Sequence, residues 1–232
     1  MSQAIRREPD KALWYHKRAI AYKRTRQYGP CLADFERAVQ LDPDNFAYHG
    51  HRGELYSIFK RYKEAEADLL ISINAEPQNS EWFLQLGVVY LNSKNYEAAV
   101  NLNTVALRVN DKEPGYYNNR GVAYRELNRL DEAIADFAKA IELKPDFSLA
   151  FRNAGQVYYK ARAYDKAVTV FSKAIELSPR DAQAYSWRAT CRAALGDQAG
   201  AEVDRRAAAG LKGQQHQVVA TQYAPSTVAS SQ

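Results

Sequence analysis

The chain has 232 residues, a formal net charge of +5, 46% hydrophobic and 12% aromatic residues, and only 11 Gly and 8 Pro. These proportions exclude a collagen-like chain, low-complexity disorder and a disulfide scaffold, and they supply enough apolar side chains for a large core. No run of about 18 apolar residues occurs, so no membrane-spanning helix is predicted. The opening residues MSQAIRREPDK lack the apolar stretch of a secretory leader, and a cytoplasmic location is expected.

Residues 1–11 are assigned to an N-terminal extension. From residue 12 the predicted elements recur with a step of 34. Prolines stand at 43, 77, 145 and 179, with Asp111 in the place of the missing member. Tyrosines at 22, 56, 90, 124 and 158, glycines at 53, 87, 121 and 155, and the small residues Cys31, Ala65, Ala99, Ala133, Ala167 and Ala201 keep the same step. The units are 12–45, 46–79, 80–113, 114–147, 148–181 and 182–211. Each carries two apolar stretches at helical spacing, such as Val88 and Leu91, then Ala99, Val100 and Leu102. A break such as Ser93 to Asn95 separates the two. Small residues at the eighth and twentieth places let the paired helices approach, and the proline ends the second helix. Residues 212–232, uncharged beyond Lys212 and poor in large apolar side chains, are assigned to a flexible C-terminal tail.

This frame is identified as that of the tetratricopeptide repeat, and the chain resembles that family over residues 12–211. The resemblance implies an all-α, right-handed solenoid of six helix-turn-helix units, each burying its neighbour's apolar face. The residue at the twenty-fourth place, Phe35, Leu69, Phe137 and Phe171, is expected to pack on the next unit's first helix. Asn103 breaks that series, so the joint between units three and four is expected to be the weakest. Arg205 ends it, as the exposed face of a terminal unit requires.

Two columns change together. The seventh place reads Arg18, Arg52, Leu86, Arg120, Ala154 and Arg188, and the twenty-third reads Asp34, Asp68, Leu102, Asp136, Val170 and Asp204. Arginine meets aspartate, and apolar meets apolar, which points to contact between the two helices of a unit. The planar guanidinium suits a two-pronged bond to a carboxylate.

No phosphate-binding, dinucleotide, metalloprotease, serine-hydrolase or kinase motif is present, so the chain reads as a non-enzyme without cofactor or metal. Cys31 and Cys191 are isolated. His16 and His51 are expected to meet on one surface, but Glu54 is the one further candidate ligand and a zinc site needs more. The basic excess is scattered over both ends of the chain, which argues against nucleic acid.

In the family the first helices line an inner groove. At the sixth place of each unit stand Lys17, His51, Gln85, Asn119, Asn153 and Trp187, with Asn118, Arg125, Arg152, Gln156 and Lys160 beside them. Side-chain amides both donate to and accept from a peptide backbone, so these residues predict binding of an extended, acidic peptide along Gln85, Asn119 and Asn153. The row is similar to the asparagine ladder of the repeat domain of O-GlcNAc transferase, which Asn119 and Asn153 match. The family's carboxylate clamp for chaperone C-termini is missing: its places hold His16, Ile20, His51, Glu81 and Gln85. The sequence therefore predicts a protein-interaction scaffold that works within a complex, with a permanent structural subunit as the alternative.

Overall fold

The computed structural model describes residues 2–222, with side chains described for 2–212. Among the described residues there are thirteen α-helices and no strand. A short helix, α1 (Ser2–Arg7), precedes six helix pairs: α2 (Ala12–Arg24) and α3 (Tyr28–Leu41), α4 (Phe46–Ile58) and α5 (Tyr62–Ala75), α6 (Ser80–Asn92) and α7 (Tyr96–Val109), α8 (Pro114–Glu126) and α9 (Leu130–Leu143), α10 (Ser148–Lys160) and α11 (Tyr164–Leu177), and α12 (Ala182–Ala194) and α13 (Gln198–Gln222). All twelve paired helices begin in register with the 34-residue step. The chain divides into two compact units, Met1–Arg129 and Leu130–Gln232. The division falls in the turn between α8 and α9, inside the fourth repeat of the sequence.

The turn within each pair has one construction. In the first, the N–H of Gln27 donates to the Tyr22 carbonyl at 2.9 Å and that of Arg26 to the Lys23 carbonyl at 3.1 Å. This double closure satisfies carbonyls that a helix end would otherwise leave without donors. It recurs at all six turns, which explains the break that follows each repeated tyrosine. The closure requires a left-handed residue, and Arg26, Lys60, Lys94, Asn128 and Arg162 adopt it with φ between 57° and 61°, while Gly196 does so at 87°.

In the first unit α2 packs on α3, α4 on α5 and α6 on α7, and each second helix also packs on the first helix that follows it. Phe35 lies fully buried with Ala19, Cys31 and Leu55, so it bridges its own pair and α4. Leu69 and Leu86, fully buried, share a larger core with Trp82, Phe83 and Tyr116. In the second unit Phe171 is buried with Ala167 and Cys191 and has Trp187 beside it. A Cβ added to Gly155 would lie 2.6 Å from the Phe171 ring. The glycine at the eighth place is thus what admits the aromatic at the twenty-fourth.

Residues 2–11, outside the six units by sequence, keep the repeat phase. Helix α1 ends at Arg7 and α3 at Leu41, one step apart. The Glu8 N–H donates to the Ala4 carbonyl at 2.9 Å, as Asp42 does to Ala38 at 3.0 Å. Trp14 Nε1 donates to Glu8 at 2.7 Å, as Trp82 Nε1 does to Glu76 at 3.1 Å. The extension thus shares the hydrogen bonds that close a repeat. At the other end α13 continues over residues 212–222, which the sequence assigned to the tail; residues 223–232 of that tail lie outside the described residues.

Candidate interaction surfaces

The arginine and aspartate columns lie sixteen residues apart, across the two helices of a pair. Arg18 Nε and Nη2 donate to the two carboxylate oxygens of Asp34 at 2.6 and 2.7 Å. Arg52 holds Asp68 in the same way at 2.7 and 2.8 Å, and Arg188 holds Asp204 at 2.8 and 2.6 Å. These aspartates are at most 4% exposed. The fourth couple is divided between the compact units: Arg120, on α8, donates to Thr104 Oγ1 at 3.2 Å, and Asp136 is buried on α9. Arg188 makes the matching reach to Ser172 Oγ at 3.0 Å. Thr104 and Ser172 belong to the two repeats without an arginine–aspartate couple, and each offers a hydroxyl to the arginine of the next repeat.

Two members of this network escaped the sequence. His49 Nδ1 lies 2.9 Å from Asp68 and its Nε2 lies 2.8 Å from the Pro43 carbonyl, and Arg192 Nη1 donates to Asp204 at 3.0 Å. The available signal was helical spacing: His49 stands three residues before Arg52, and Arg192 four after Arg188.

The sixth-place row separates by unit. In the first, Gln85 is half-buried on α6, while Asn118 and Asn119 on α8 are 5% and 7% exposed. Asn119 Nδ2 and Asn103 Nδ2 converge over Gly87, 2.9 and 3.3 Å from the place where a Cβ would stand. Asn103 is fully buried; its Nδ2 donates to the Ala99 carbonyl at 2.7 Å, and its Oδ1 has no hydrogen-bond partner. Arg125 is bonded to Glu126 at 2.9 Å. In the second unit Asn153 is 7% exposed, Gln156 is half-buried and Lys160 is exposed. Arg152 Nη1 holds the Asp181 carboxylate at 3.0 and 3.1 Å. Trp187 is half-buried, its ring 5.1 Å from that of Tyr159 and stacked at 6.5 Å on Phe171.

The structure thus buries the asparagines more than an open groove position would be, and it sets Trp187 against core rings. Arg125 and Arg152 already hold carboxylates, so part of the positive charge beside the row is neutralised within the chain.

In the first unit His16 and His51 have ring centroids 5.4 Å apart, flanked by Phe35, Tyr48 and Trp82. His16 Nε2 and His51 Nδ1 are buried without a partner. Burial, then the neighbouring His51 and Lys17, lower the His16 pKa to about 4, and burial lowers that of His51. Glu54 is engaged by Lys23. Among the described residues no three histidine, cysteine, aspartate or glutamate side chains cluster as metal ligands, and no helix is long and apolar enough to cross a membrane.

Three segments, residues 15–45, 115–147 and 148–181, match the tetratricopeptide-repeat family. Among solved structures the chain is similar to YrrB, described as a tetratricopeptide-repeat protein with an unusual peptide-binding site, at 26% identity and a TM-score of 0.58, covering 79% of this chain and 94% of that one. A tetratricopeptide-repeat protein of Parabacteroides merdae aligns with a TM-score of 0.77 at 19% identity over 90% of this chain and 83% of its own. The Cut9–Hcn1 structure of the APC/C gives 0.77 at 18% identity, covering 90% of this chain and 42% of that one. No curated protein matches in sequence.

Proposed function

Because this chain is a tetratricopeptide-repeat protein, built on a fold that serves protein–protein interaction, we propose that it binds an extended segment of a partner protein on the faces of its first helices. The observation that carries the reading is the amide row: Gln85 and Asn119 in the first unit and Asn153 in the second, all on first helices at the same place of the repeat. A side-chain amide that donates to a carbonyl and accepts from an N–H holds a peptide by its backbone, largely regardless of sequence. The peptide-binding site of YrrB, at 26% identity, supports the same use here. Arg125, Arg152 and Lys160, beside the row, add a preference for acidic residues. Since Arg152 must share itself with Asp181, that preference is modest and weakens with salt.

The test is capture of partners by the full chain and by N119A/N153A. The double change is expected to weaken binding of a captured partner by about 1 to 3 kcal/mol, because each lost amide strands a peptide group. A melting curve within a few degrees of the parent separates lost contact from lost fold. Equal binding by both chains overturns the amide row and favours a second reading, a structural subunit joined through the second helices. That reading rests on Ile71, Val105 and Val109, which are 43%, 49% and 42% exposed on α5 and α7 of the first unit.

A further inference from the structure

Turns of three residues join the helices within a pair and turns of four join successive pairs in the first unit. Helices joined by such short turns run antiparallel. The two kinds of turn therefore lie at opposite ends of the helix layer, about 20 Å apart for helices of this length. Their charges differ in sign. At the end formed by the turns within pairs stand Arg26, Lys60 and Lys94, all exposed, one per repeat, none with a carboxylate partner among the described residues. At the other end stand Glu8, Asp42 and Glu76, at the same 34-residue step; each keeps acceptor positions beyond its bonds within the chain, from Lys11 and Trp14 to Glu8, from Asn45 to Asp42, and from Asn79 and Trp82 to Glu76. Both rows are generated by the same 34-residue step, so both have the pitch of the repeat.

Helix dipoles favour cations near the ends of first helices, but they do not explain why the left-handed residue itself is a long cation. Glycine relaxes that conformation, and a side chain there costs about 1 kcal/mol. The sixth turn uses Gly196. Three consecutive turns of the first unit accept the strain and present a positive charge instead, as residues kept for a contact do.

We infer that these rows are a docking edge between copies of this chain: Arg26, Lys60 and Lys94 of one copy face Glu8, Asp42 and Glu76 of the next. The occupant follows from complementarity, since the chain itself carries an acidic row of matching period. Because the rows lie at opposite ends, the contact is heterologous, and each added copy leaves one basic and one acidic row unpaired. The inference is independent of the amide row.

Sedimentation velocity of the full chain at about 0.1 mM tests it. The chain should associate at about 20 mM salt and at least tenfold more weakly at about 0.5 M, as exposed charges are screened. The variant R26G/K60G/K94G should stay monomeric at low salt while melting at a higher temperature than the parent, so that loss of association cannot be loss of fold. The isosteric variant E8Q/D42N/E76Q should also be monomeric. Mixed, the two variants should form a dimer that grows no further, each supplying the row the other lacks. A parent chain that is monomeric at low salt, a glycine variant that associates like the parent, or a mixture that stays monomeric overturns the inference.

Discussion

Repeats two and three stand side by side in the first unit, with helices of equal length and the same turns, yet they bury polar groups in opposite ways. Repeat two encloses Asp68, and the carboxylate is answered from two sides, by the Arg52 fork and by His49. Repeat three places Leu86 and Leu102 in the corresponding columns and then encloses Asn103, whose Oδ1 has no partner. The repeat frame fixes where a side chain is enclosed, whereas the stability of that enclosure depends on whether every polar atom inside it is paired.

The largest expected effect is in repeat two. Asp68→Ala leaves a guanidinium and an imidazole facing a vacancy and should cost about 3 to 5 kcal/mol in denaturant titration, whereas Arg52→Met with Asp68→Leu, which brings in the apolar columns of repeat three and strands only the His49 imidazole, should cost less. If the double change costs as much as the single one, the couple is not interchangeable with apolar packing.

Repeat three should respond with the opposite sign. Asn103→Leu gives its site the residue that repeat two carries at Leu69 and removes the orphaned oxygen, so the chain should gain about 1 to 2 kcal/mol. In the parent, amide hydrogens of residues 100–118 should exchange faster than those of 66–84, the same places one step earlier, and the substitution should narrow the gap. Equal protection in the parent removes the notion of a weak joint.

A smaller, pH-dependent effect is expected from His16, at the joint of repeats one and two. His49 has a partner at each ring nitrogen, while His51 Nδ1 and the neighbouring His16 Nε2 have none. The His16 pKa is lowered from 6.5 to about 4. As pH falls through that window the unfolded chain takes up a proton that the folded chain refuses, so stability falls between those values and levels off below about 4. His16→Gln should flatten this part of the urea-midpoint profile, and an unchanged slope would remove His16 as its source.

Periodicity made the helix pairs legible because a 34-residue step constrains every core position at once. The co-varying columns were legible because arginine and aspartate have few partners they can be buried with. Less could be read of the amide row. The type and place of Asn119 and Asn153 were visible, but their burial depends on neighbours such as Gly87, whose missing Cβ matters only once two asparagines converge on it. Arg125 and Arg152 were equally visible as charges, while the carboxylates they hold are set by side-chain directions that spacing does not encode. Residues 2–11 carry the phase in Glu8 and Pro9, a signal too short to stand out before the hydrogen bonds repeat it.

Cys31 and Cys191 lie fully enclosed, one in each compact unit, and burial raises both thiols to about 11. The closed molecule is therefore silent toward thiol reagents, which attack the thiolate. Any reaction with such a reagent times an opening of the fold, and the labelled peptide identifies which half opened. The protein thus carries two clocks for its own breathing, one per unit, without any engineered probe.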